Sequence, residues 1–211
     1  MPLLIDIRKL RIINTLMKRG TENVTRSLSS LADVDADVEI TSLSFVEPSD
    51  IAAEIGTDEI YSASIDLREP PYGVFLLTFP PATAAEMATL MTGSPVEGEF
   101  NRLQKSALQE MCNILTSGFI DGMANTLGTT IDMETPKLEY SNGATVAEET
   151  LSHVRRDALS IVLDSMIDVA EEDAAFKIRI FLVPDPGSFV NLLDHLSVDE
   201  ISDRTESAGS L

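Results

Sequence analysis

Two stretches of this chain follow one plan. "VFLLTFPPATAAEMATLM", from Val74, and "IRIFLVPDPGSFVNLLDHL", from Ile178, each run from an apolar strand through a turn with two prolines into an amphipathic helix. Strand–proline–helix is a common local arrangement. The order upstream narrows it, because a long helix and then a strand precede each copy. Residues 10–94 and 103–198 therefore read as two repeats of one unit. Strand and helix alternate only loosely and hairpins occur, which favours a mixed α+β domain. The expected class is α+β, a duplicated domain with pseudo-two-fold symmetry and long helices packed on a mixed or antiparallel sheet. One domain spans 1–198, and the polar 199–211 segment reads as a flexible acidic tail.

Periodicity places the elements. From Leu10 to Leu31 the apolar residues Leu10, Ile13, Leu16, Met17, Val24, Leu28 and Leu31 fall at helical spacing. "VEITSLSFVE" alternates as a strand. "IYSASIDL" and "YGVFLLTF" form a hairpin about the turn "REPP". "ATAAEMATLM" is a helix and "TGSPVEGEF" a linker. A second long helix is expected from near Phe100 to about Ser117. "GFIDGMANTLG" continues it as another helix, stopped by Gly128. "TTIDME" is expected as a short strand ended by Pro136. A helix and a strand entry share "ATVAEETLSHVRRDALSIVLDSM", "FKIRIFLV" is a strand, and "PGSFVNLLDHL" is a final helix with Ser188 as N-cap.

The net charge is −20, with ten Arg and five Lys against 35 acidic residues. Such a surface is a poor partner for nucleic acid or anionic membrane. Acid-rich, Lys-poor composition fits a protein kept soluble in concentrated salt, as in a halophilic archaeon. Cys112 is the only cysteine, so no intrachain disulfide can form. "MPLLIDIRKL" is too short and too charged for a signal peptide. No apolar run reaches the roughly 18 residues needed to span a bilayer. The expected location is the cytoplasm.

In "FNRLQKSALQEMCNILTSGF", Leu103, Ala107, Leu108, Met111, Ile114, Leu115 and Phe119 make an apolar stripe. Ser106, Glu110, Asn113 and Ser117 follow i, i+3, i+4 steps on a separate one. Spacing alone describes a solvated face. The longer pattern says more: Ser106, three residues, Glu110, two residues, Asn113, twenty-two residues, Pro136. This resembles the signature of the CheC/CheX/FliY phosphatases of the chemotaxis system. "LLTFPPATAAEMATLMTG" and "FLVPDPGSFVNLLDHL" resemble the strand–helix ends of the two CheC halves. "RGTENVTRSLSSLADVDADVEI" resembles the first helix and strand, with Gly20 and Asn23 as remnants of a Gly-rich helix junction. The likeness covers about residues 8–198.

The resemblance implies a phosphatase for the aspartyl phosphate of a CheY-type receiver. Asn113 would orient the attacking water, and Glu110 would pair with a receiver lysine. Ser106 and Pro136 would complete the motif. It implies no cofactor of the chain's own, Mg²⁺ being supplied by the receiver. An offset of 95 puts Arg11, Thr15 and Lys18 where Ser106, Glu110 and Asn113 stand. Thr15 cannot form the ion pair and Lys18 offers no amide, so a single active site in the second half is expected. The alternative from the same family is a non-catalytic adaptor binding the deamidase CheD or flagellar switch components.

Other candidates weigh less. "DVDADVE" sets Asp33, Asp35 and Asp37 at the first three ligand positions of a calcium loop, but Val38 and Ser44 stand where Gly and Glu are needed. His153 and His195 have no zinc-like spacing around them. Cys112 reads as a buried apolar thiol, "HVRR" as a short surface patch, and the helical methionines as core filling.

Overall fold

A computed structural model describes residues 7–31, 36–152, 160–169 and 174–194. The tail, both histidines, Asp33, Asp35 and the "VRR" arginines lie outside the described residues. The elements are α1 (Ile7–Leu31), β1 (Ala36–Val46), α2 (Pro48–Ile55), β2 (Glu59–Leu67), β3 (Gly73–Phe79) and α3 (Pro81–Thr92). Then come α4 (Arg102–Leu127), β4 (Lys137–Asn142), α5 (Gly143–Ser152), β5 (Ser160–Val169), β6 (Ala174–Pro184) and α6 (Pro186–Asp194). The fold is α+β. Among the described residues, the strands form one antiparallel sheet in the order β1-β5-β6-β3-β2-β4. Each half runs α-β-α-β-β-α, and the strand order reads alike from either end when β1 exchanges with β4, β2 with β5 and β3 with β6.

The sheet is covered on both sides, which explains the two unbroken apolar runs. On one face Phe75, Leu77, Phe79, Ile180 and Leu182 pack with Leu16, Met17, Leu115 and Phe119 of α1 and α4. On the other, Leu76, Phe181 and Val183 meet Ile51 of α2 and Val146 of α5. Strands β3 and β6 are neighbours at the centre and bury successive residues on opposite faces. Apolar periodicity of two is therefore absent from them.

The structure differs from several expectations. "TTIDME" is not a strand: Ile131 drops into the core as irregular chain, and the strand starts after Pro136, where a missing N–H costs no ladder bond. Nor does α4 break near Gly118. Gly118 and Gly122 lie where α1 crosses it; a Cβ on Gly122 would stand 2.5 Å from the Arg19 carbonyl oxygen. These glycines allow close approach of two antiparallel helices rather than ending one. Gly20 belongs to the same contact, its added Cβ falling 2.8 Å from the Phe119 ring. Ser188 lies inside α6; the cap is Asp185, whose Oδ1 accepts from the Ser188 amide at 2.9 Å. Helix α2 is unanticipated; it carries Pro at its first turn and ends at Gly56. Leu103 is 66% exposed and leaves the apolar stripe assigned to it. Gly128 caps α4 in the left-handed conformation, as expected.

Candidate functional site

Helix α4 is fixed before it presents anything. A capping box starts it: Asn101 Oδ1 accepts from the Gln104 amide at 2.9 Å, and Gln104 Oε1 accepts from the Asn101 amide at 3.1 Å. The Gln104 side chain is buried and also donates to the Pro95 carbonyl at 3.2 Å, which ties down the preceding linker. Midway, Asn23 Nδ2 of α1 donates to the Gly118 carbonyl at 2.8 Å. Leu108, Met111, Cys112, Leu115 and Phe119 are almost fully buried.

On this rigid support, Ser106 and Glu110 are exposed, and Asn113 and Ser117 are half-buried. Leu103 sits on the same stripe by the same stepping. The Glu110 carboxylate and the Asn113 amide have no side-chain hydrogen bond or ion pair among the described residues. Ser117 Oγ donates to the Asn113 carbonyl at 2.7 Å, a bond within the helix that leaves the Asn113 amide group free. Glu110 and Asn113 are separated by about 4.5 Å of helical rise. The face is convex. Neither the cavity of about 400 Å³ beside β4 and α5 nor the one of about 490 Å³ near α2 is lined by either residue.

Pro136 is brought to this helix. It is buried, and its carbonyl accepts from Gln109 Nε2 at 2.6 Å. Gln109 stands one turn before Asn113, so the proline segment flanks the Asn113 side of the face. Sequence reasoning missed Gln109 because a helical glutamine carries no signal of what it will reach. Burial pushes the Cys112 thiol up to about 12, so it stays protonated, as a buried apolar thiol should. Desolvation raises the Asp121 carboxyl, three turns beyond Glu110.

The corresponding region of α1 is different. Thr15 Oγ1 donates to the Arg11 carbonyl of its own helix at 2.9 Å, and Arg11 is exposed. Lys18 is exposed, with Glu22 at 3.9 Å. No acid–amide pair faces out there. Val38, at the glycine position of the calcium-loop pattern, is a buried strand residue.

An acid and an amide on a fixed convex helix cannot enclose a small substrate. They can enter a concave site on another molecule. Comparison with known proteins bears on which kind. Residues 103–140 match the CheC-like family. A protein of Halobacterium salinarum named "Putative CheY-P phosphatase CheC1" is 33% identical over 198 residues, covering 93% of this chain and 100% of that one. FliY of Thermotoga maritima has a similar fold, with a TM-score of 0.71 at 16% identity over 97% of both chains. So has FliM of H. pylori, solved in a complex with SpeE, at a TM-score of 0.65 and 13% identity over 96% of this chain and 98% of that one.

Proposed function

Because the chain belongs to the CheC-like family, we propose that it is a chemotaxis phosphatase that removes the aspartyl phosphate of a CheY-type receiver. The observation carrying this is the outward pair Glu110 and Asn113, unpartnered on a helix that packing and capping hold rigid. Asn113 enters the receiver's active site and orients a water in line with the phosphorus–oxygen bond to be broken. The amide donates to or accepts from that water without taking its proton, which suits an acyl phosphate already prone to hydrolysis. Glu110 pairs with a receiver lysine and sets the depth of insertion. Pro136, held by Gln109, limits how the partner can approach Asn113. Ser106 lies on the rim one turn earlier. Magnesium belongs to the receiver's own chemistry and makes no demand on this chain. The domain, in this reading, is two copies of one unit, supported by the repeated element order, and only the second copy keeps the catalytic pair.

A second reading follows from the first half. Thr15 and Lys18 cannot perform the reaction, and a chain that has lost one pair is a candidate adaptor for CheD or the flagellar switch. Glu110 separates the two. With purified phosphorylated receiver, Glu110→Ala raises the receiver concentration needed for half-maximal dephosphorylation by about tenfold, as loss of a charged interfacial contact of about 1.4 kcal/mol requires. An adaptor shows no acceleration with either form.

A further inference from the structure

Charge is distributed unevenly over the molecule. The chain carries −20, yet α1 holds Arg8, Lys9, Arg11, Lys18, Arg19 and Arg26 against Glu22 alone, a net +5. That leaves −25 for the remainder. On α1, Ile7, Arg8, Arg11, Asn14 and Lys18 are all exposed on one outward arc, with Ile7 at 72%. Arg8 and Arg11 make no ion pair among the described residues, and Glu22 is already shared between Arg19 at 2.6 Å and Lys18 at 3.9 Å. Lys9 is paired with Asp194 of α6 at 2.7 Å, but Arg8 stands in the first turn, at the positive end of the helix dipole, with no acid in that turn, a placement that works against the helix.

We propose that this arc of α1 is a docking surface for a protein with an acidic, partly apolar face. Cations at Arg8, Arg11 and Lys18 meet its carboxylates, and Ile7 supplies an apolar contact that persists in concentrated salt. The surface is separate from the motif on α4. Val24 meets Gly118 and Gly20 meets Gly122, so the helices are antiparallel and Asn113 lies towards the far end of α1. By helical rise it is about 15 Å beyond Lys18 and about 25 Å beyond Arg11. Two partners can therefore be bound together. A bilayer does not fit, because the apolar arc of α1, Ile13, Leu16, Met17, Val24 and Leu28, is already in the core. A nucleic acid fits less well than a protein, since it binds through many phosphates along its length and would meet the −25 beyond this one helix.

The test uses the full chain at the lowest salt that preserves its native circular dichroism. Fluorescence anisotropy follows two probes: a labelled 16-residue peptide alternating Glu with Leu, and a 20-base-pair DNA duplex. The wild type binds the peptide. R8E/R11E/K18E binds it at least tenfold more weakly, and Ile7→Ser several-fold more weakly, a loss that persists when salt is raised. All changed residues are exposed, so both variants keep the native spectrum. Peptide binding unchanged in both variants overturns the proposal. So does a wild type that binds neither probe, or one that binds the duplex as tightly as the peptide.

Discussion

Replacing Gly122 by Ala tests how α1 and α4 are held together. In most helices this change stabilises by about 1 kcal/mol, because alanine loses less backbone freedom on folding. Here the new Cβ would sit 2.5 Å from the Arg19 carbonyl oxygen and 2.8 Å from the Gly20 Cα. Both obstacles are backbone, so no side chain can swing aside. Relief needs the helices to part by most of an ångström along a contact that buries Leu16, Met17, Leu115 and Phe119. Overpacking of this kind costs about 1–3 kcal/mol, and a backbone obstacle belongs at the upper end. The expected net loss is about 2 kcal/mol, or about 4–8 °C in Tm for a chain of this size. Gly118→Ala is the internal control. It has the same propensity gain on the same helix, but its nearest obstacle is the Val24 Cα at 3.1 Å, so the change stays within about 1 kcal/mol of zero. Urea denaturation at fixed salt measures both. If Gly122→Ala equals or exceeds wild-type stability, the helices are not in the close contact described.

Two further outcomes concern charge. Desolvation pushes the Asp164 carboxyl up, but hydrogen bonds from Arg179 and Ser42 and the Arg179 charge more than offset it and leave it below its usual value. A lowered folded-state pKa gives stability that is present above about pH 4 and lost as pH falls through the folded value. Asp164→Asn is therefore less stable than wild type at pH 7, by no more than about 1 kcal/mol for so exposed a pair, and the two converge below pH 4 in acid titrations followed by circular dichroism. Dilution of salt is the second. A net charge of −20 is poorly screened at millimolar salt, so cooperative folding weakens from molar to millimolar salt; an unchanged melting curve would remove the inference of a salt-adapted protein.

Sequence and structure agree where a residue's meaning is local. The helical spacing from Ile13 to Leu28, the hairpin about "REPP" and the Gly128 cap were all legible, since each depends on near neighbours. The outward stripe of Ser106, Glu110, Asn113 and Ser117 was legible for the same reason. Misreadings fall where a distant segment decides. Gly118 looks like a helix end until α1 is laid across it. Pro136 looks like the end of a strand until β2 pairs with the residues after it and Gln109 reaches its carbonyl. Leu103 has core chemistry but points away from the sheet. Ser188 is a good capping residue, but Asp185 precedes Pro186 and takes the cap first. The α2 segment is short and buries little beyond Ile51, so its periodicity is too weak to read.

The central claim concerns Asn113, and the most direct measurement is the decay of a radiolabelled, phosphorylated cognate receiver in high salt, with wild type and with Asn113→Ala. The amide makes no side-chain bond among the described residues, so the variant should fold as wild type does. A water-positioning amide requires that wild type speeds the decay and that Asn113→Ala returns it to the receiver's own rate, by about 10²-fold or more if orientation of the water is the main contribution. Equal decay with the two forms would contradict it.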